Sequence, residues 1–196
     1  MQVTRSLTSH ARRAQVVEAA VQVIGSDGYA QATYARIAAH AGLSSTRLIS
    51  YHFADKDDLV AAVVEDVITR IGEFVGARVG VEVTAAGQLD TYLESVVAYI
   101  SRDRVRMRAL MEVLLAGVLP DLARAADAGP VEGILRRGQA AGEFRDFDPF
   151  VMATTIQRSV DGLPFLLEGT PELDLEAYAR ELVTLFRLAT KVDTHG

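Results

Sequence analysis

The chain has 196 residues, 49% hydrophobic and 23% charged, the balance of a soluble globular protein long enough to bury a real core. It contains no cysteine, which removes disulfides, thiolate nucleophiles and cysteine metal sites together. No apolar run approaches the roughly 20 residues of a membrane-spanning helix, and a net charge of -6 argues at first sight against a polyanionic partner.

The charge is uneven along the chain. Residues 1–53 hold Arg5, Arg12, Arg13, Arg36 and Arg47 against Glu18 and Asp27, a net of +3, so the remainder sums to -9. Polyanions are steered by the local patch rather than by the whole-chain charge, so this head alone can face DNA. On charge alone, five arginines serve equally well as a solvated surface. The N-terminus MQVTRSLTSHARR is basic but lacks the apolar stretch of a secretory signal, which places the protein in the cytoplasm.

Apolar residues recur three and four apart throughout, with almost no alternation of period two, so an all-α fold is expected. A first helix over 9–26 buries Val16, Val17, Ala20, Val23 and Ile24, and Gly28 stops it, with Tyr29 packing back. Thr33 is placed to cap a short second helix whose Ile37, Ala38 and Ala41 face inward, and Gly42 suits the positive φ of a tight turn. Ser44 or Ser45 then caps a third helix. Its Leu48, Ile49 and Phe53 point to the core and its Thr46, Arg47, Ser50 and Tyr51 point outward.

Two short helices joined by a Gly-containing turn, the second with a polar outer face, make a helix-turn-helix whose second helix fits the major groove. Arg47 can give two parallel hydrogen bonds to guanine N7 and O6, while Ser45, Thr46 and Ser50 are short enough to let the backbone approach the bases. Tyr51, His52 and Lys56 suit phosphate clamps that fix register without reading sequence. They sit beside the start of the next helix at Asp55, where Asp57 and Asp58 complement the helix dipole. The plainer reading of Tyr51-His52-Phe53 is a helix end with Phe53 in the core and the other two merely on the surface.

The stretch VVEAAVQVIGSDGYAQATYARIAAHAGLSSTRLISYHFADKDDL, residues 16–59, resembles the DNA-binding domain of the tetracycline-repressor (TetR) family of one-component transcriptional regulators. The resemblance rests on Gly28-Tyr29, Ile37-Ala38, the run Ala41-Gly42-Leu43-Ser44, Tyr51-His52-Phe53, and Lys56 with Leu59. Nine residues, LSSTRLISY, separate Gly42 from His52, one more than the commonest family pattern. The extra residue lengthens the turn or the start of the recognition helix. The DNA-binding set is therefore Thr33, Ser44, Ser45, Thr46, Arg47, Ser50, Tyr51, His52 and Lys56. The resemblance implies a domain of residues 1–54 that binds DNA and an all-helical domain of residues 55–196 that binds an effector and dimerises.

Beyond the head, a long helix over 55–79 should bury Leu59, Val63, Val67, Ile71 and Phe74. Helices follow over 84–102, 105–116 and 119–141, the last broken or kinked at Gly129-Pro130. Tyr92, Val96, Tyr99, Met107, Leu110, Met111 and Leu114 could line an effector pocket, being apolar or amphipathic with two adaptable methionines, or could be ordinary core. Arg102, Arg104, Arg106 and Arg108 spread around a helix axis as solvated charges usually do. Arg108 is the member best placed to meet an anionic effector group or Glu112.

Two final helices, over 149–168 and 173–192, carry apolar stripes fit to pack against their own copies in a homodimer. Val151, Thr155, Arg158 and Leu163 on one and Tyr178, Leu182, Leu185 and Phe186 on the other form the expected interface. A dimer places its two recognition helices one or more DNA turns apart, roughly 34 Å each, and so reads a palindrome. Asp161 beside Gly162-Leu163 suits an interface or capping role as well as a ligand contact.

His10, His40, His52 and His195 lack metal-ligand spacing, and no nucleophile elbow, phosphate loop or HExxH pattern occurs, so neither catalysis nor a cofactor is expected. The expected function is a ligand-responsive regulator, a repressor that binds a palindromic operator and is released by a small apolar or amphipathic effector, with no membrane partner. The alternative is a helical small-molecule-binding or carrier protein that never touches DNA.

Overall fold

Every regular element among the described residues, 2–118 and 129–192 of this computed structural model, is a helix. In chain order they are α1 (Gln2–Asp27), a 3-10 turn (Tyr29–Gln31), α2 (Tyr34–His40), α3 (Arg47–His52), α4 (Lys56–Val79), α5 (Ala85–Arg102) and α6 (Arg104–Ala116). There follow α7 (Gly129–Ala140), α8 (Pro149–Asp161), α9 (Leu163–Gly169) and α10 (Leu175–Thr190). They sort into two compact units: one holds α1 to α3, α4 as far as Thr69, and α6; the other holds the rest of α4 with α5 and α7 to α10.

In the first unit α1 is the central post, packing along α6, α2, α3 and the 3-10 turn. Its inward stripe of Val16, Val17, Ala20, Val23 and Ile24 is fully buried as the periodicity predicts, although the helix starts at Gln2 rather than near residue 9. Gly28 ends it at φ 89°, a left-handed conformation that residues with a Cβ rarely adopt. At Gly25 the approach to α6 is so close that a Cβ would stand 2.2 Å from the Val105 carbonyl oxygen.

Arg106 of α6 is buried and bonded at once to Glu18 of α1 at 2.6 Å and to Asp66 of α4 at 2.5 Å. It is therefore not one of a solvated series. A guanidinium has five donors in a rigid fork, which lets one buried cation join carboxylates from two different helices.

In the second unit α5 packs against α7 and α10, and α7 packs against α8. The core is drawn from one face of each, including Leu89, Leu93, Val97 and Ile100 of α5, Leu135 of α7, Ile156 of α8 and Phe186 of α10. Gly138 lets Phe144 close over α7, since a Cβ there would meet the ring at 2.1 Å. Thr84, Asp148 and Asp174 cap α5, α8 and α10 through their side chains.

Several expectations are corrected here. The helix expected over 149–168 is two, broken at Gly162, because Pro164 in the first turn of α9 cannot continue the hydrogen-bond ladder. The helix expected over 119–141 begins, in its described part, at Gly129, and residues 119–128 lie outside the described residues. Ile71 and Phe74 are half-buried, while Val75 takes the buried position. Leu48 is an exposed residue and not core, because on a helix of six residues Ile49 and Phe53 suffice to fill the inward face.

Candidate nucleic-acid interface

The helix-turn-helix is α2, a turn, and α3. Thr33 caps α2 as expected, its hydroxyl accepting from the Arg36 N–H at 3.3 Å, so its side chain has a structural task alongside any contact with DNA. Ile37 and Ala38 seat α2 on α1, and Gln15 of α1 donates to the Ala41 carbonyl at 2.7 Å at the end of α2. Gly42 takes φ 64° and turns the chain.

The residues from Leu43 to Thr46 are not helical, and α3 begins only at Arg47. The extra residue noted after Gly42 is thus absorbed in the turn. Neither Ser44 nor Ser45 occupies the cap position. Thr46 does, without a side-chain hydrogen bond, while the Ser45 hydroxyl accepts from the Arg47 N–H at 3.2 Å.

Ile49 and Phe53 are buried, and the opposite face presents Ser44, Ser45, Thr46, Arg47, Ser50 and Tyr51, all exposed. Tyr51 is 80% exposed and stands edge-on to the His52 ring at 5.0 Å. A large aromatic left in water, beside the exposed Leu48 on a helix anchored by Ile49, is available for contact with another molecule.

Lys56 opens α4 with its ammonium 4.3 Å above the Tyr29 ring, a cation–π contact that the sequence reading did not foresee. Asp55 and Asp58 close the start of this helix reciprocally: Asp55 accepts from the Asp58 N–H at 2.8 Å and Asp58 from the Ala54 N–H at 2.9 Å. Burial, and then the Asp57 charge, raise the Tyr29 phenol above its ordinary value. Burial also raises Tyr34, with Asp55, Asp58 and Asp57 adding to it. Arg13 caps the Phe53 ring at 4.7 Å, and Arg36 pairs with Asp27 at 3.1 Å. Cation–π contacts between distant positions leave no periodic trace in a sequence, which is why the pairings of Arg13 with Phe53 and of Lys56 with Tyr29 are visible only in the structure.

The residues expected to line an effector pocket divide between the units. Tyr92, Val96 and Tyr99 belong to the second; Met107, Arg108, Met111 and Leu114 belong to the first. Val96, Tyr99, Met107 and Met111 are buried, Leu114 is half-buried, and Arg108 faces Glu112 at 4.0 Å, the second of its two expected partners. Tyr92 donates to Gln157 at 2.9 Å, Gln157 donates to Asp161 at 2.8 Å, and Arg158 donates to the same carboxylate at 2.7 Å. Burial above all, with Asp161 next, pushes the Tyr92 phenol up to about 12.

The second unit has a cleft of about 410 Å³ between α5 and α10, lined by residues such as Glu94, Val97, Leu175 and Arg180, none of them in the expected pocket. Another, of about 350 Å³, includes Tyr99 with Arg70, Phe74 and Arg102.

Of the residues expected at a dimer interface, Val151, Thr155 and Arg158 on α8 and Leu185 on α10 are exposed, Val151 at 58% and Leu185 at 57%. Leu188, one turn beyond Leu185, is exposed at 68% and was not anticipated. Leu163, Leu182 and Phe186 lie in the interior behind this surface, and Tyr178 is half-buried, its hydroxyl donating to the Ser159 carbonyl at 3.0 Å.

Among the described residues there is no group of three or more His, Cys, Asp or Glu arranged to hold a metal ion, and no helix long and apolar enough to cross a membrane.

Residues 16–63 match the family of bacterial regulatory proteins described as the tetR family. The same region is 40% identical over 67 residues to the HTH-type transcriptional regulator BetI 2 of Chromohalobacter salexigens, covering 34% of this chain and 32% of that one. The match thus spans about a third of the length of the curated relatives. In structure the chain is similar to a TetR-family transcriptional regulator from Rhodococcus sp., with a TM-score of 0.77 at 24% identity over 92% of this chain and 98% of the other. It is also similar to AibR in complex with isovaleryl coenzyme A and operator DNA, with a TM-score of 0.72 at 19% identity over 89% and 97% of the two chains. The helix-turn-helix of this chain is accordingly a tetR-family domain, in a protein with the all-α fold of solved tetR-family regulators.

Proposed function

We propose that the protein is a ligand-responsive, one-component transcriptional regulator that works in the cytoplasm and has no enzymatic activity. Residues 1–54 bind double-stranded DNA, and residues 55–196 bind a small apolar or amphipathic effector and form a homodimer. The observation that carries this reading is α3 itself: Ile49, with Phe53 just beyond the helix end, anchors it in the core, while Arg47, Ser50 and Tyr51 project into solvent. The two protomers meet through the exposed faces of α8 and α10, around Val151, Thr155, Arg158 and Leu185. Together they read a palindrome.

Arg47 reads bases, and Lys56, Tyr51 and His52 grip phosphates. In the operator-bound state the protein blocks transcription. An effector that prefers the conformer with misplaced heads shifts the population off DNA. AibR, whose solved complex holds both isovaleryl coenzyme A and operator DNA, supports the idea that this fold serves both partners.

The test is selection of bound DNA from a random duplex library by the full-length protein, with the variant carrying Arg47→Ala and Tyr51→Ala as control. Enrichment of an imperfect palindrome by the native protein alone is the expected result. If neither protein enriches any sequence at moderate salt, with or without a panel of apolar and acylated small molecules, the regulator reading fails.

A further inference from the structure

The first N–H of a helical turn has no acceptor within the turn and must find one elsewhere. In the 3-10 turn that follows Gly28 that group is the Tyr29 N–H, and its acceptor comes from far along the chain: Glu112 Oε2 of α6, at 3.2 Å. The carboxylate lies against Gly28, where a Cβ would stand 3.4 Å from the same oxygen. Its other oxygen, Oε1, faces the Arg108 guanidinium at 4.0 Å. Glu112 thus caps the turn from another helix and is itself held by a cation on its own helix. The ring of the residue it fixes, Tyr29, is the surface on which the Lys56 ammonium rests at 4.3 Å.

We propose that Glu112 is a positioning residue for Lys56: it sets the place of the Tyr29 ring, and that ring holds the lysine where a DNA phosphate meets it. The inference rests on the reading above, in which Lys56 contacts the DNA backbone. A lysine stem has four carbons and many rotamers, and a free one loses that freedom on meeting a phosphate. An aromatic platform removes part of the loss in advance. Because the contact is to backbone, the benefit applies equally to operator and unrelated duplex.

The experiment measures duplex binding by fluorescence anisotropy over a salt series, with full-length protein, the selected operator and a scrambled duplex. Glu112→Leu should lose about two- to fivefold in affinity on both duplexes, the size of a part-exposed cation–π contact. Tyr29→Leu should lose the same. Glu112→Gln keeps an oxygen that accepts from the Tyr29 N–H and should stay near the native affinity. In a Lys56→Ala background, which itself lowers the salt slope by about one, Glu112→Leu should cost nothing further.

Native affinity in a folded Glu112→Leu variant, or a loss that adds in full to that of Lys56→Ala, overturns the proposal. Should Glu112→Leu not fold, Tyr29→Leu decides in its place: native affinity there overturns the proposal, and a loss absent from the Lys56→Ala background supports it. Failure of the native protein to bind any duplex would instead sink the regulator reading, and this inference with it.

Discussion

Gly25→Ala sets helix propensity against packing. Gly25 is the third residue from the end of α1, and in a helix interior alanine is favoured over glycine by up to about 1 kcal/mol, so local preference predicts stabilisation. The tertiary structure predicts the reverse, because the new methyl would lie 2.2 Å from the Val105 carbonyl oxygen and 2.7 Å from Val105 Cγ1. Ordinary contact begins near 3.4 Å, so the obstacle must retreat by about 1 Å, and it is backbone of α6 rather than the end of a flexible side chain. Overpacking of this kind costs about 1–3 kcal/mol, and an obstacle that cannot rotate away sits at the upper end. After the propensity gain, a net loss of about 2 kcal/mol remains, equivalent to a fall of about 4–8 °C in Tm for a chain of this length. Urea unfolding followed by far-UV circular dichroism reads it as a lower midpoint at unchanged m-value. Gly72→Ala on α4 is the internal control: a Cβ there meets nothing within 4 Å, so stability should hold or rise. Equal or greater stability for Gly25→Ala would refute the packing argument.

Arg106→Met removes the one guanidinium that bonds both Glu18 and Asp66. Both carboxylates are partly exposed and can rehydrate, so the loss should fall at or below the low end of the range for a broken buried pair, about 2–3 kcal/mol. Glu18→Gln with Asp66→Asn should recover part of it in the same denaturation assay. Tyr92, with its phenol raised to about 12 by burial, stays neutral in the fold after it would ionise in the unfolded chain. Its contribution is therefore complete below pH 10 and lost as pH rises from 10 towards 12, and Tyr92→Phe should make stability fall less steeply over that window. Leu185→Glu, placed on an exposed face of α10, should leave the far-UV spectrum intact and convert the proposed dimer to monomer in sedimentation equilibrium. An unchanged mass would remove this face from the interface.

Much of the head was legible because its signals are local. The Gly28 stop, the Thr33 cap, the Gly42 turn and the buried Ile49 and Phe53 each depend on a residue and its immediate neighbours. The exposed row on α3 follows from the same helical period. Leu48 was misjudged because an apolar residue on a six-residue helix does not declare which side it takes, and the number of places in the core was already filled. Pro164 is the local signal for the break at Gly162, while the apolar stripe that runs across it suggests one continuous helix.

The sequence by itself determined the all-helical character, the Thr33 cap, the uneven charge and the type of the head, since all of these arise within a few residues of backbone geometry and side-chain period. Only the tertiary structure decided which charges would be buried and which aromatic rings would carry cations. Arg106 looks like its neighbours Arg104 and Arg108, yet it alone of the three sits buried between Glu18, 88 residues away, and Asp66, 40 residues away. Glu112 meets Tyr29 across 83 residues. Such pairs form where helix packing removes water from two distant polar groups at once, and a period of 3.6 residues contains no record of that meeting.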